Sequence, residues 1–372
     1  MARTEADRCP GVLAVHQAVD GGLARVRVPG GRLTCSQLDV LRLAAADLGD
    51  GRLELTSRGN VQLRALGPDG PRELSDRLYA AGLLPSLPHE RVRNILASPL
   101  SGLDGQSAYD VLPVATALDQ ALCDRPALAA LPGRFLFALD DGRGDLADVR
   151  ADVAVRALDD RTALLILGAR AVRVQWTDVP DLMLAAAEAF LAVRDQEWRI
   201  AEVPDGAQLI LERLGLEAEE LPPVESTRLT AGVHGAALVV TVPLGSLTQE
   251  QAAALSQVGG EVRVTPWRSV VVPTDRTGLE DVRPDDAGLV DVGLVIAPDS
   301  VWEGVTACAG QPGCAKALAD VRGDAARLLP QLTRRGRRVH LSGCERRCGK
   351  PAGDFVDVLA GPDGYLVNGE RL

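Results

Sequence analysis

A repeated pattern of strands and helices constrains the fold of this chain more than any other feature of its sequence. Apolar alternation and helical spacing predict a strand, a helix and two strands joined by a turn, at residues 23–28, 37–48, 52–55 and 61–66. The same order recurs at residues 236–242, 248–257, 261–264 and 269–272. Both copies have a Val-x-Val-Pro strand end, a glutamine early in the helix and a threonine, Thr56 or Thr265, at the end of the next strand. This duplication predicts two half-units that are related by a pseudo-two-fold axis and close one sheet.

The rest of the sequence has a mixed α/β pattern. Between the two copies, strands are predicted at residues 135–139, 153–157, 163–167 and 171–174. A helix with Asp178 as its N-cap is predicted over 178–194, and the acidic stretch 217–223, which ends in Pro-Pro, is the predicted linker. The last part has a predicted helix, a strand and a strand pair, at residues 315–329, 337–341 and around 362–364. Four domains are therefore predicted, at residues 1–85, 86–222, 223–280 and 281–372.

Composition narrows the class of protein. The chain has 372 residues, of which 46% are hydrophobic and 24% charged, so it can bury a core. Its formal net charge of −11 opposes non-specific binding to nucleic acid or anionic membranes, because phosphate neutralisation needs a basic surface. The sequence has no apolar segment of signal-peptide or membrane-spanning length, which predicts a cytoplasmic protein without nucleic-acid or membrane partners. Its only lysines are Lys316 and Lys350, and the other basic residues are arginines.

The cysteine spacing predicts a metal centre. Four of the seven cysteines form a C-x5-C pair, Cys308 and Cys314, and a C-x3-C pair, Cys344 and Cys348. Four thiolates on two glycine-bearing loops can hold an iron–sulfide cube, so a [4Fe–4S] cluster fits this spacing best. Zinc also accepts four thiolates but favours C-x2–4-C spacing, and buried reduced cysteines are a further alternative.

Several motifs together resemble a known superfamily. The cysteine pattern, the duplicated β-α-β-β unit and the segment TSRGNVQ at residues 56–62 are similar to those of sulfite and nitrite reductases. Within that superfamily the precorrin-3B synthase branch is the one most resembled, through TACAG, LSGC, RNILASPL and TPWR at residues 306–310, 341–344, 93–100 and 265–268. The resemblance covers nearly the whole chain in order.

The resemblance implies an α/β (α+β) fold in which duplicated ferredoxin-like half-units share a sheet and further α/β domains hold the [4Fe–4S] cluster. In the reductases the last thiolate bridges the cluster to a sirohaem. In the synthase branch a tetrapyrrole, precorrin-3A, is instead the substrate of a monooxygenase. Oxygen-dependent hydroxylation and lactone closure then give precorrin-3B for aerobic cobalamin biosynthesis.

Two departures favour the synthase branch over the sirohaem enzymes. The segment LPGRFL at residues 131–136 retains one cation, Arg134, where the reductases usually have a Leu-Pro-Arg-Lys-Phe-Lys-like stretch. The final cysteine pair encloses residues 345–347, Glu-Arg-Arg, where the reductases commonly have Pro-Asn-Gly. A sirohaem-dependent sulfite or nitrite reductase, and a non-catalytic electron carrier or tetrapyrrole-binding protein, stay open as alternatives.

The candidate substrate-binding residues are those that can pair with a polycarboxylate. Arginines form bidentate pairs with carboxylates, and the neutral amides supply further hydrogen-bond donors. The predicted set is Arg58, Asn60, Gln62, Arg93, Asn94, Arg134 and Arg268.

The last predictions concern the electron donor and any further cofactor. A cluster carries one electron at a time, so a separate donor, a reductase or a ferredoxin, is predicted. The G-x-G-x-x-A match at residues 142–147 is predicted to be a loop, because strand alternation resumes too soon for a nucleotide-binding helix. A mononuclear non-haem iron is a further candidate cofactor without assignable ligands, and His340 is the one candidate to support the cluster from behind its ligands.

Overall fold

The computed structural model describes residues 7, 9–227, 229–274, 284–332, 336–351 and 353–372. Both copies of the repeat form as the sequence predicts. The first contains β1 (His16–Ala18), β2 (Gly21–Val26), β3 (Arg32–Thr34), α1 (Cys35–Leu48), β4 (Leu53–Leu55), β5 (Val61–Leu66) and α2 (Gly70–Ala80).

The middle of the chain contains β6 (Ile95–Ala97), α3 (Leu112–Cys123), β7 (Phe137–Asp140), β8 (Val153–Ala157), β9 (Thr162–Leu167), β10 (Arg170–Gln175), α4 (Val179–Val193), α5 (Gly206–Leu214) and β11 (Glu219–Glu220). These strands form one sheet in the order β11-β10-β9-β8-β7-β6. It is parallel from β6 to β8 and antiparallel from there to β11. Helices α3, α4 and α5 contribute to its main core, where Phe135 contacts Phe137 and Phe190.

The second copy contains β12 (Gly232–His234), β13 (Ala237–Thr241), β14 (Ser246–Leu247), α6 (Gln249–Ser256), β15 (Glu261–Val264), β16 (Ser269–Pro273) and α7 (Pro284–Asp291). Helices α1 and α6 begin with the same capping box. Thr34 and Gln37 exchange side-chain and backbone hydrogen bonds at the start of α1, and Thr248 and Gln251 do so at α6. The glutamine shared by the two copies is therefore a helix-start signal.

The prediction that the two half-units close one shared sheet is wrong. The half-units form two five-stranded sheets, ordered β1-β2-β5-β4-β14 and β12-β13-β16-β15-β3. Each sheet ends in a short strand from the other half-unit: Ser246 pairs with Glu54, and Leu33 pairs with Val262. One hydrophobic core lies beneath both sheets. The half-units are thus joined by reciprocal strand exchange.

The last part of the chain contains β17 (Val305–Ala307), α8 (Ala325–Leu328), β18 (Arg338–Ser342), β19 (Phe355–Gly361), β20 (Gly364–Val367) and β21 (Glu370–Arg371). Its five strands form one sheet in the order β17-β18-β19-β20-β21. Strands β17, β18 and β19 are parallel, and the predicted hairpin around residues 362–364 joins β19 to β20. Leu289 and Leu294, which precede this sheet, pack in the core of the half-units although they follow the predicted boundary at residue 281.

Three local predictions differ from the structure. The helix predicted over 315–329 is a single turn, α8, because residues 315–323 wrap around the cysteine loops, where the amide of Leu318 donates to the carbonyl of Gly343 (2.7 Å). The predicted linker includes edge strand β11, formed by Glu219 and Glu220. Asp178 occupies the N-cap position of α4 but makes no side-chain capping bond. Within the described residues, no helix has the length and apolar character that a membrane crossing requires.

Candidate active site

The two cysteine loops begin side by side. Cys308 directly follows β17, and Cys344 lies two residues after β18, its parallel neighbour. Parallel strands end at the same edge of a sheet, so both loops leave from that edge. The amide of Gly343 donates to Sγ of Cys308 (3.1 Å), which ties the second loop to the first cysteine.

Cys348 lies within electrostatic range of the other three predicted ligands. The pKa of Cys348 is raised, first by burial and then by the thiols of Cys308, Cys344 and Cys314. A tetrahedral zinc would hold its sulfurs about 4 Å apart, given a Zn–S bond of about 2.3 Å. In the described part of the chain the four sulfurs do not form a group with all atoms within 4.8 Å. The residues present therefore fit the larger iron–sulfide cube better than a single zinc ion.

Two glycines allow the cysteine loops to pack closely. A Cβ at Gly343 would lie 2.7 Å from Cβ of Ala317, and a Cβ at Gly310 would lie 2.9 Å from Val321. Gly310 also has a φ of 67°, a backbone conformation that favours glycine. Close backbone approach is what a cluster held by two short loops requires.

Four arginines converge beside the first half-unit, and we call Arg25, Arg27, Arg58 and Arg199 the arginine group. Arg25 and Arg199 lie close enough to Arg58 to lower its pKa, and Arg25 and Arg58 both lower the pKa of Arg27. Only Arg58 belongs to the predicted substrate-binding set.

Most of the arginine group has no carboxylate partner. Among the described residues, Arg25, Arg27 and Arg58 form no ion pair with an acidic side chain, whereas Arg199 pairs with Asp152 (2.6 Å). Burial, the largest cause, and the neighbouring guanidiniums lower the pKa of both Arg27 and Arg58 to about 10, so both stay charged at neutral pH. With so little counter-charge, the arginine group is a candidate polyanion site. Arg27 is 2% exposed and already donates to the carbonyls of Pro10 and Arg91, so the half-buried Arg25 and Arg58 are the members left to contact an anion.

The structure also places Cys9, which lies outside the two cysteine loops, in this group. Its Sγ accepts hydrogen bonds from Nη1 of Arg25 and Nη2 of Arg27, both at 3.4 Å. Arg25, Arg27 and Arg199 were missed because they come from distant segments with no shared motif. The one local signal was the Arg-x-Arg alternation at the end of β2, where Arg25 and Arg27, the residue after the strand, are two positions apart.

Arg134 and Gln62, two further predicted binding residues, contact the arginine group or its neighbours. The guanidinium carbon of Arg134 lies 4.7 Å from the ring centroid of Trp198, the residue before Arg199. Arg134 is exposed, so it stands at the outer edge of the arginine group. Gln62 accepts a hydrogen bond from Nε of Arg25 (2.9 Å), which leaves Gln62 a positioning partner rather than a free donor.

Three other residues of the predicted binding set, Arg93, Asn60 and Asn94, are buried and hydrogen-bonded within the protein. Arg93 is 4% exposed and forms a bidentate pair with Asp119 (2.7 and 2.6 Å) while also donating to the carbonyl of Leu83. Asn60 donates to Asn94 (3.2 Å), and Asn94 donates to three backbone carbonyls, of which Gly133 is the nearest at 2.9 Å. These side chains fix the loops beneath the site and have little capacity left for a substrate.

A continuous chain of polar contacts joins the arginine group to the cysteine loops. Gln62 donates to Glu54 (3.2 Å), and Glu54 pairs with Arg322 (2.7 Å). Arg322 in turn donates to the backbone carbonyl of Cys308 (3.1 Å). The polyanion site and the cluster site are therefore parts of one constellation.

Arg268 lies at the cysteine end of this constellation. Its guanidinium donates to the carbonyl of Gly349 (3.5 Å) and lies within electrostatic range of Glu54 and Arg322. Burial lowers its pKa. The predicted arginines thus occupy separate places: Arg58 in the arginine group, Arg268 beside the cysteines, and Arg93 in neither.

His340 lies behind the cysteine loops. It is fully buried on β18, with Nδ1 2.8 Å from the Thr306 hydroxyl. Burial and then Arg268 lower its pKa to about 4, while the backbone of Cys348 opposes that shift. A neutral imidazole therefore faces the loop of the last cysteine.

The loop predicted at residues 142–147 forms and carries a buried acidic trio. Asp140, Asp141 and Asp145 bring carboxylate oxygens within 4.8 Å of one another. Arg143 pairs with Asp141 (2.6 Å) and lies 4.0 Å from Asp145, so one protein cation offsets part of the charge of the trio. Asp140 also accepts hydrogen bonds from the amides of Gly142 and Gly144, which holds the loop.

These features define a mixed α/β protein with ferredoxin-like half-units, two cysteine loops and an adjacent group of arginines that lacks carboxylate partners among the described residues. A family model for the nitrite/sulfite reductase ferredoxin-like half domain matches residues 16–81, within the first half-unit. The structure of the NirA protein of Mycobacterium tuberculosis has the same fold, with a TM-score of 0.71 over 93% of this chain and 73% of that one, at 19% identity.

Curated relatives extend the similarity across the chain. A precorrin-3B synthase from a Sinorhizobium species is 27% identical over 97% of this chain and 82% of its own length. A ferredoxin–nitrite reductase from Synechococcus elongatus is 27% identical over 93% of this chain and 78% of its own length. The chain is therefore similar over most of its length to enzymes of the sulfite and nitrite reductase superfamily. These relatives are oxidoreductases.

Proposed function

We propose that this protein is a precorrin-3B synthase, a monooxygenase that converts precorrin-3A to precorrin-3B. The observation that carries the tetrapyrrole assignment is the arginine group, in which Arg25, Arg27 and Arg58 form no ion pair with a described carboxylate. A polycarboxylate macrocycle would supply the missing negative charge. The choice of branch is supported by similarity to the Sinorhizobium synthase along most of both chains.

In this proposal Arg25 and Arg58 of the arginine group bind the substrate's side-chain carboxylates, and Arg27 and Arg199 add positive charge behind them. Arg58 is the strongest candidate, because its half-buried guanidinium makes no side-chain hydrogen bond with any described residue. Gln62 holds Arg25 in place, and Asp152 does the same for Arg199. Arg134 at the outer edge would contact a carboxylate that extends beyond the group.

Cys308, Cys314, Cys344 and Cys348 would ligate a [4Fe–4S] cluster, which supplies one electron at a time when bound. The contacts from Glu54 to Arg322 and from Arg322 to the carbonyl of Cys308 would fix the first cysteine loop relative to the arginine group. Burial keeps His340 neutral, so it adds no positive charge behind the last cysteine.

The test begins with anaerobically purified protein. We expect a broad visible absorption band that bleaches on reduction, and no tetrapyrrole in an acid extract. Cys344→Ser should abolish the band, whereas Cys123→Ser, which lies outside the loops, should retain it. An intact band in Cys344→Ser would overturn the ligand assignment.

Turnover provides the second part of the test. With precorrin-3A, O2 and a chemical electron source, the loaded protein should form precorrin-3B, identified by mass spectrometry as the hydroxylated lactone. Extractable sirohaem together with sulfite or nitrite reduction would replace this proposal with the reductase alternative. A loaded cluster that supports neither reaction would identify a non-catalytic carrier.

A further inference from the structure

Trp198 differs from the other three tryptophans of the chain. Trp176 is buried in the core of the middle sheet, Trp267 packs against two small apolar clusters, and Trp302 packs against the core of the last sheet. Within the part of the chain that the structure describes, Trp198 is half-buried and packs against none of the hydrophobic clusters. Packing in a core therefore does not account for its indole.

Trp198 lies beside two arginines at the edge of the arginine group. The guanidinium carbon of Arg134 lies 4.7 Å from the centroid of the Trp198 ring. Arg199, the next residue, belongs to the arginine group and lies close enough to Arg58 to lower its pKa. Ligand sites combine aromatic surfaces with a few charged groups in this way, because the aromatic face supplies contact area and the charges fix orientation.

The backbone is held on both sides of the contact between Trp198 and Arg134. The amide of Trp198 donates to the carboxylate of Glu202 (2.8 Å). The amide of Gly133, which precedes Arg134, donates to the carboxylate of Asp7 (2.6 Å). The two side chains can therefore exchange partners while both backbone segments stay in place.

A carboxylate can displace Arg134 from the indole. Arg134 is exposed and forms no salt bridge with any residue that the structure describes. A cation–π contact at an exposed site is weaker than a bidentate pair between an arginine and a carboxylate. When Arg134 pairs with a carboxylate, its guanidinium leaves the ring, and an aromatic face opens beside the arginine group.

We propose that Trp198 is a further substrate-binding residue, whose indole packs against the ring face of the tetrapyrrole once Arg134 has moved to a carboxylate. This inference rests on the proposed function, because it assumes a tetrapyrrole at the arginine group. A tetrapyrrole has apolar ring faces bordered by carboxylates, which Trp198 and the neighbouring arginines complement. The arginines select for negative charge, and Trp198 selects for a ring.

The experiment compares a polyanion that has a tetrapyrrole ring with one that has no ring. Uroporphyrin, an octacarboxylate tetrapyrrole, and hexaglutamate, a linear peptide with many carboxylates, are titrated separately into anaerobically purified protein by calorimetry. In Trp198→Ala we expect uroporphyrin binding to weaken ~10-fold through loss of the ring contact, and hexaglutamate binding to stay within ~2-fold. Trp198→Phe retains an aromatic face and should recover most of the loss.

Two control variants separate a ring contact from a structural role. Arg134→Gln removes one cation and should weaken the binding of both ligands by a similar factor of ~3. Tyr79→Ala removes an aromatic ring that is 68% exposed on α2, and it should leave both dissociation constants unchanged. Retained hexaglutamate binding also shows that Trp198→Ala is folded. Trp198→Leu, which keeps apolar volume, provides the same comparison if the alanine variant does not fold.

Two results would overturn the proposal. Equal weakening of both ligands in Trp198→Ala, with an unchanged circular dichroism spectrum, would show that the indole only holds Arg134 in place. Unchanged uroporphyrin binding in Trp198→Ala would show that the indole does not contact the ring.

These outcomes are distinguishable from failure of the proposed function. If uroporphyrin does not bind to the unmodified protein, the polyanion site is contradicted, and the proposed function with it. If its binding depends on Arg58 but not on Trp198, only the ring contact is wrong and the enzyme assignment stands.

Discussion

In the first half-unit the turn at residues 56–60 carries Arg58 and Gly59, and in the second the turn at residues 265–269 carries Trp267 and Arg268 at the matching positions. Their backbones are equivalent: φ is 62° at Gly59 and 63° at Arg268. In each turn a threonine hydroxyl accepts two backbone amides, at 3.1–3.3 Å for Thr56 and 3.2 Å for Thr265. The two turns therefore share their backbone conformation and threonine hydrogen bonds, and they differ in the two central side chains, Arg58 and Gly59 in one and Trp267 and Arg268 in the other.

The different side chains give the two turns different roles. Arg58 carries an unpaired charge into the polyanion site, whereas Trp267 packs against two small apolar clusters that contain Leu96 and Leu100. The first turn thus supplies chemistry and the second supplies packing. Four sets of substitutions test this contrast.

Trp267→Ala should have the largest effect on stability. Loss of the indole from the two apolar clusters should lower the free energy of unfolding by about 3 kcal/mol, measured by urea denaturation of the apoprotein. The matching Arg58→Ala should lower it by less than ~1 kcal/mol, since that guanidinium is crowded by other cations. Equal losses at the two positions would contradict the division of roles.

Arg58→Gln should have the largest effect on binding. Loss of a charged donor to a carboxylate should weaken uroporphyrin binding by about 2 kcal/mol, or ~30-fold, in a fluorescence titration. Arg170→Gln, an exposed control on β10, should leave the dissociation constant unchanged. A titration in which both variants bind like the unmodified protein would remove Arg58 from the polyanion site.

Thr56→Ala and Thr265→Ala should have similar effects. Each removes one hydroxyl that accepts two amides, which should cost about 1–2 kcal/mol of unfolding free energy. Serine at either position retains the acceptor and should recover most of the loss. A difference of more than ~1 kcal/mol between the two alanine variants would show that the turns are not energetically equivalent.

The smallest effects should have opposite signs. Gly59→Ala adds a Cβ at positive φ, 3.2 Å from Leu96 Cδ2, and should destabilise the protein by about 1 kcal/mol. Arg268→Gly relieves a left-handed backbone and should stabilise it by about 0.5 kcal/mol, since its one hydrogen bond, at 3.5 Å, is long. Thermal unfolding of both variants measures the difference, and losses of the same sign would refute the strain argument.

The sequence was most informative where a signal is local. The half-units follow from alternation, helical spacing and the Thr-x-x-Gln capping boxes, and the cysteine loops follow from their spacing. Strand exchange was missed because β3 and β14 have three and two residues, too few to show a pattern. The prediction of a helix over 315–329 was wrong because packing around the cysteine loops overrides helix propensity.

The arginines of the site likewise could not be assigned from local sequence signals alone. Motif position selected Arg58 and Arg93 equally, but only the folded chain places Asp119 beside Arg93 and leaves Arg58 without a carboxylate. The arginine group combines residues from β2, the turn at residues 56–60 and the segment after α4, which are brought together only by tertiary contacts. A chain with so many arginines gives no local signal of which ones will be neutralised.

The exchange of β3 and β14 also determines the order in which the molecule can be completed during synthesis. The first sheet lacks its edge strand until β14 leaves the ribosome, after the entire middle domain has been translated. Until then the β4 edge has open backbone donors and acceptors, which can pair with another nascent chain. The middle sheet is made only of residues between the two copies, so it can form first and hold their ends near each other.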